Sequence, residues 1–426
     1  NQKDDLCTLC HLYMEKNRSN KISTLCLTAI LAVAAFFSFY ELTESPSFWY
    51  DEGWYFQVSA NIASIGQDGL QFAPGDVRHI AITTVGYPLL YPMAMWMKVF
   101  GSTVFAARFL MAILIIGFLT AVFFFVRRMS GVKIALAATV LLALFPPLYG
   151  NGKSVLGEVP GMLFLVLSLL SLQAAVARET RRRLFLVLSG FFLGLCIATK
   201  PIFLPFLAAF AIGAALFLKR KEMSWRNVSV LSLSAILPIT AWLFIQFGPS
   251  DSALNILGYY TNPYYKTDIL GTVLVNVKSL LTSSSGIYTL FLAAVWGTAL
   301  VIRLRTKEKI PAIETIGFIF SFLIIAAFLR SEGWYRYLFE TQLLSLIFFP
   351  LSIRTIFNFA ADKTRLEGLR RAPAVLVVIL VLVGLYQLMF SSWVADAYGV
   401  RKTAFWREYF SGSNESTSVF FYNVPE

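Results

Sequence analysis

Charged residues recur at the ends of apolar stretches: Asp51, Glu52, Arg108, Lys153, Glu158, Lys200, Arg330, Glu332 and Arg336. A charge this near hydrocarbon is costly unless it is paired or lines a wet cavity. Singly, each fits a side chain snorkelling to the interface. Together they place both signs around one face, as expected of a cavity that handles an anionic lipid headgroup and a polar acceptor. Asp51 and Glu52 draw most notice. They are adjacent carboxylates set among the aromatics of Phe48-Trp-Tyr-Asp51-Glu52-Gly-Trp-Tyr-Phe56. Their simplest role is capping, since the positive end of a helix dipole favours acids in the first turn.

The residues that follow predict the helix such caps require. Trp54, Val58, Ile62 and Ile65 recur at helical spacing, and Gly66 is a natural stop. This reads as a helix on a membrane surface with both acids at its N-terminus.

Composition supplies the membrane. The 426 residues are 57% hydrophobic, 15% aromatic and only 14% charged, against about 25% charged in soluble domains. Apolar runs near the 20 residues needed to cross a bilayer fall at 23–40, 104–126, 133–149, 159–176, 184–199, 202–218, 228–247, 287–302, 313–329, 337–353 and 373–393. Two long outer loops interrupt them, 41–103 and 248–285. Within the first, Gly86–Phe100 is apolar but too short to cross, and predicts a second interfacial or re-entrant helix. With the N-terminus cytoplasmic, the inner segments hold 24 of the 36 Lys and Arg residues, as the positive-inside rule demands. Counting Gly86–Phe100 as a crossing would invert every later loop and break that rule. The net charge of +12 is therefore topological, and nucleic acid is not implied. The acidic pair, the 248–285 loop and the tail share the extracytoplasmic face. The domains expected are a cytoplasmic segment 1–22, a transmembrane domain 23–393 and an extracytoplasmic tail 394–426. No inserted soluble domain or internal repeat stands out, and no cleavable signal peptide is evident.

Other motifs carry less. Cys7-Thr-Leu-Cys10-His11 matches the pattern for covalent haem attachment, but it falls on the cytoplasmic side and reads as chance. Cys26 and Cys196 lie in apolar spans and read as packing residues. His79 reads as a loop hydrogen-bonder. The four tyrosines of Gly258–Tyr265 fit an interfacial belt, with sugar stacking as the sharper alternative. Asp268–Leu281 looks like another surface helix, and Asn414-Glu-Ser416 is a glycosylation triplet.

Phe48-Trp-Tyr-Asp51-Glu52 resembles the first-loop acidic motif of GT-C polyprenyl-phosphate-sugar glycosyltransferases, within the protein O-mannosyltransferase and lipid A aminoarabinose transferase group. The resemblance continues in order along residues 23–392. Gly86-Tyr-Pro-Leu-Leu-Tyr-Pro is similar to the second interfacial helix, and Phe100–Leu110, with Arg108, to the next stretch. Gly157-Glu158-Val-Pro-Gly resembles the segment with the second acid. Gly194–Pro201 resembles the Gly-to-Lys turn ending at Lys200, and Trp334-Tyr-Arg336-Tyr337-Leu the late Arg-Tyr motif. Glu158 stands where Asp is often found, and Gly86-Tyr-Pro replaces a Lys/His-Pro start.

The resemblance implies an all-α polytopic membrane protein of GT-C architecture, with about eleven transmembrane helices and extracytoplasmic interfacial helices. It implies transfer of a sugar from a polyprenyl-phosphate donor to an extracytoplasmic acceptor at a plasma (bacterial inner) membrane. Asp51 would be the base of an inverting reaction. Glu52 would assist it, and Glu158, Lys200, Arg336, Tyr337, Arg108 and Lys153 would bind substrate. A divalent metal (Mg, Mn or Zn) could bridge acids and phosphate, as in some GT-C enzymes. Two other classes stay open from sequence: a transporter of lipid-linked substrates, and a silent GT-C-like subunit of a larger complex.

Overall fold

The computed structural model describes residues 2–46, 48, 50–79, 84–177, 180–248, 268–364 and 372–390. Side chains at 2–20, 362–364, 372–376 and 388–390 fall outside this description. The chain is a helical bundle. It opens with α1 (Gln2–Phe39) and α2 (Tyr50–Ile65), then a small hairpin, β1 (Leu70–Ala73) and β2 (Asp76–Arg78). Next come α3 (Tyr87–Phe100), α4 (Val104–Ser130), α5 (Val132–Ala143), α6 (Pro146–Lys153), α7 (Glu158–Ala177) and α8 (Arg182–Thr199). The rest is α9 (Pro205–Lys219), α10 (Trp225–Phe247), α11 (Ile269–Thr282), α12 (Ser284–Arg305), α13 (Ala312–Arg330), α14 (Phe339–Thr364) and α15 (Ala372–Phe390). Among the described residues nine helices are long and apolar enough to cross a membrane, or ten if the bent pair α5–α6 forms one span. The chain is thus a multi-pass membrane protein.

Three features differ from the sequence expectation. The expected span at 133–149 is broken, because Pro146-Pro147 cannot continue a helix; α5 and α6 meet at 63°. The first helix extends beyond the expected span at 23–40: it runs unbroken from Gln2, as no Gly or Pro interrupts residues 2–39, and its apolar part is Lys21–Phe39. The first outer loop is not all helix and coil. Its antiparallel hairpin pairs Leu70 with Arg78 and Gln71 with Val77, and turns at Gly75, whose φ of +80° suits glycine. The eleventh expected span, 373–393, is helical over Ala372–Phe390.

The core is aromatic and aliphatic. Trp296 stacks on Phe348 at 4.5 Å between ring centroids, and Phe206 packs edge-on to Phe320 at 5.2 Å. Helices α7, α8 and α10 form a tight layer. Gly190 and Gly194 of α8 face the carbonyls of Leu231 and Ala235 on α10, where any Cβ would clash. Small residues at this spacing let two backbones approach closely.

Helix direction brings the charged residues to one end of this bundle. Asp51, Glu52 and Glu158 lie in the first turns of helices leaving that end and Arg108 early in the second turn of another, whereas Lys153 ends α6 and Lys200 follows α8 as it returns. Arg336 lies in the single-turn helix Tyr335–Leu338 that leads into α14.

Candidate active site

Consecutive helical residues point about 100° apart, so the neighbouring acids cannot share one partner. Glu52 turns inward. It is fully buried and held in a two-toothed ion pair by Arg108, with Nε on Oε1 at 2.8 Å and Nη2 on Oε2 at 2.7 Å. The Val155 backbone N–H also donates to Oε1, at 3.3 Å. The remaining nitrogen of Arg108, Nη1, donates to the carbonyls of Leu42, Thr43 and Pro46 at 3.0, 3.3 and 2.9 Å. Lys153 is buried beside this pair and donates to the Tyr40 carbonyl at 3.0 Å. These three residues tie the start of the first outer loop to α2, α4 and α6.

Asp51 turns the other way. Its side chain is 28% exposed, and Oδ2 accepts from Arg336 Nη1 at 2.7 Å. The guanidinium lies over Trp334 at 4.5 Å and over Tyr337 at 5.5 Å, so cation–π contacts fix its plane. Beside it, Lys200 Nζ donates to Glu158 Oε1 at 2.5 Å in a second buried pair.

Tyr55 shows that the two pairs are neighbours. Its hydroxyl bonds Thr84 Oγ1 at 2.5 Å. Burial, then the Asp51 carboxylate and more weakly Glu158, holds its phenol well above the usual value, with Arg336 opposing. Asp51, Arg336, Glu158 and Lys200 thus form one cluster of alternating charge. Glu52, Arg108 and Lys153 form a second, fully buried cluster behind it. Tyr337 joins the first cluster only through its ring.

Local backbone explains the positions. Lys200 closes α8 in extended conformation (φ −159°, ψ 136°) because Pro201 follows. Gly157 lies against the Lys200 stem, where a Cβ would sit 3.1 Å from Lys200 Cβ. Gly86 donates its N–H to the Thr199 carbonyl at 3.0 Å and leaves no room for a Cβ against Ala198 and Trp242. So α3 docks on the end of α8, next to Lys200. His79 contacts the carbonyls of Asp68 (3.2 Å) and Gln246 (2.8 Å), linking the hairpin loop to α10.

Among the described residues no three His, Cys, Asp or Glu side chains gather as a metal would need. Asp51, Glu52 and Glu158 each hold a cationic side chain instead. Sequence reasoning missed Glu340, in the first turn of α14. It is fully buried and within electrostatic reach of Glu158, Lys200 and Arg336. Its place four residues after Arg336, one helical turn on, was the available signal. Arg330 ends α13 and is exposed. The Cys7–His11 pattern, the 258–265 tyrosines and the Asn414 triplet lie outside the described side chains.

The sequence profile of the dolichyl-phosphate-mannose-protein mannosyltransferases matches residues 88–242, less than half the chain. No curated protein sequence matches. Among solved structures, apo ArnT from Cupriavidus metallidurans aligns with a TM-score of 0.59 at 14% identity, over 92% of this chain and 78% of that one. ArnT bound to undecaprenyl phosphate aligns equally well, at 0.59 and 15% identity, over 91% and 77%. The Archaeoglobus fulgidus oligosaccharyltransferase, solved with Zn and sulfate, aligns with a TM-score of 0.51 at 15% identity over 84% of this chain. This chain spans about half (52%) of that protein's length. The chain therefore has the GT-C membrane fold, and it resembles the protein O-mannosyltransferase and ArnT group of polyprenyl-phosphate-sugar glycosyltransferases.

Proposed function

We propose that this protein is an integral membrane glycosyltransferase that moves a sugar from a polyprenyl-phosphate donor to an extracytoplasmic glycolipid, glycan or protein. The observation that carries the reading is the Asp51–Arg336 pair, with Glu158–Lys200 beside it, at one end of the bundle. Phosphate is a stable leaving anion, so the reaction needs cations rather than a general acid. Lys200 and Arg336 would meet the charge that develops on the phosphate oxygen as the anomeric C–O bond breaks. Asp51 would take the proton of an acceptor hydroxyl while the hydroxyl oxygen bonds the anomeric carbon from the opposite face. That displacement inverts the centre. Before that step, Arg336 would pass from Asp51 towards the phosphate as the donor binds, freeing the carboxylate to act as base. Glu52 would act through position, because Arg108 holds it in the fold.

The test compares wild type with Asp51→Asn across a panel of polyprenyl-phosphate sugars, scoring released polyprenyl phosphate. Loss of a base is expected to cost about 10²–10⁴ in turnover, with donor binding retained. Donor binding without turnover in the wild type, across donors and acceptors, would favour a silent subunit. No binding at all would remove the glycosyltransferase reading.

A further inference from the structure

The chain compensates its buried glutamates with cations. Among the described residues, Glu52 holds Arg108, Glu158 holds Lys200 and Glu314 holds Arg303. Glu340 breaks the pattern. It is fully buried, yet neither of its carboxylate oxygens has a hydrogen-bond partner. Its own backbone N–H lies close but misses hydrogen-bonding geometry. Burying such a group without donors is among the most costly arrangements a protein makes. A buried group left this way calls for an explanation, and a binding role is one of them.

The surroundings say what would fit. Glu158 Oε2 is likewise without a partner, while Oε1 is taken by Lys200. Glu340 lies within electrostatic reach of Glu158, and of Lys200 and Arg336 on other elements. The cluster thus has a cationic part, Lys200 and Arg336, and an acceptor part made of Glu340 and Glu158 Oε2. Carboxyl oxygens accept hydrogen bonds. A polyprenyl tail has nothing to donate to them. A ring of hydroxyls does.

We infer that Glu340, with the free oxygen of Glu158, is a sugar-binding subsite. It would accept hydrogen bonds from hydroxyls of the donor sugar while the phosphate faces Lys200 and Arg336. This rests on the glycosyltransferase reading and adds the residue that distinguishes a sugar-bearing donor from its bare lipid.

The test is equilibrium binding to the purified full chain. The probes are undecaprenyl phosphate and a panel of undecaprenyl-phosphate hexoses and pentoses. The wild type is expected to bind at least one sugar-bearing lipid more tightly than undecaprenyl phosphate. Glu340→Ala is expected to remove about tenfold of that advantage, the worth of one hydrogen bond to a charged group, without weakening undecaprenyl phosphate binding. Glu340→Gln keeps the shape of the side chain, and is expected to weaken the same sugar-bearing lipid selectively should the alanine variant fail to fold. Equal weakening of both lipids, or an unchanged preference in a folded variant, overturns the subsite. A wild type that binds neither lipid overturns the glycosyltransferase reading instead.

Discussion

Asp51 and Glu52 are adjacent in sequence and belong to different parts of the molecule. Their types and their place at a helix start were legible, because two acids just ahead of a helical repeat suit the positive end of its dipole. Their division was not, since the partners Arg336 and Arg108 lie far off in sequence. Glu340 was legible only as a neighbour of Arg336 one turn on, because nothing in Phe339-Glu340-Thr341 shows which helices will surround it. The Glu52–Arg108 pair yields a prediction about stability. Removing one partner strands a buried charge, so Glu52→Gln or Arg108→Met is expected to cost about 3–5 kcal/mol. The double variant Glu52→Leu with Arg108→Met removes both charges and is expected to lose less than the sum of the single variants, while the carbonyls that Arg108 served stay without that donor. Thermal unfolding in detergent, read as a double-variant cycle, checks it; additive losses would argue against the pair as a unit.

At the level of elements, α11 holds the turn that carries Arg336. Asn276 donates to the carbonyls of Phe328, Leu329 and Ser331 at 3.2, 3.1 and 2.8 Å. Ser279 bonds the Tyr335 hydroxyl at 2.5 Å. Gly333 takes a φ of +73° beneath the Asn276 amide, where a Cβ would clash. The other face of α11 exposes Leu270, Leu274, Val275 and Leu281, as a helix seated in a lipid interface would. The amphipathic pattern of Asp268–Leu281 was readable beforehand; the clamp was not, because it joins residues more than fifty apart. Asn276→Leu leaves those carbonyls without their donor and is expected to cost about 1–3 kcal/mol. Displacement of Arg336 would lower turnover in the fraction that stays folded, measured as kcat at saturating donor. Gly86→Ala should act similarly by lifting α3 from the end of α8, and protection of α3 amides from hydrogen exchange would fall. Unchanged exchange would mean that α3 docks through its apolar face alone.

For the whole molecule, the hydrophobic runs carried most of the fold, and the distribution of Lys and Arg added an expected orientation. Where they failed, at Pro146-Pro147 and in the hairpin, the controlling signals were single prolines and glycines within longer patterns. The same distribution predicts which end of the bundle faces out. In a cysteine-free background, Gln67→Cys is expected to react with a membrane-impermeant maleimide on intact cells. Arg127→Cys, at the far end of α4, should react only after permeabilisation. The reverse pattern would invert the topology. A last consequence follows from the Asp51–Arg336 contact, which joins residues 285 positions apart. Ribosomes deliver a membrane protein from its N-terminus, so the segment bearing Asp51 is made before the one bearing Arg336. Under the proposed function, a partly made chain would hold only half of the site, and activity would wait until the segment bearing Arg336 joins it.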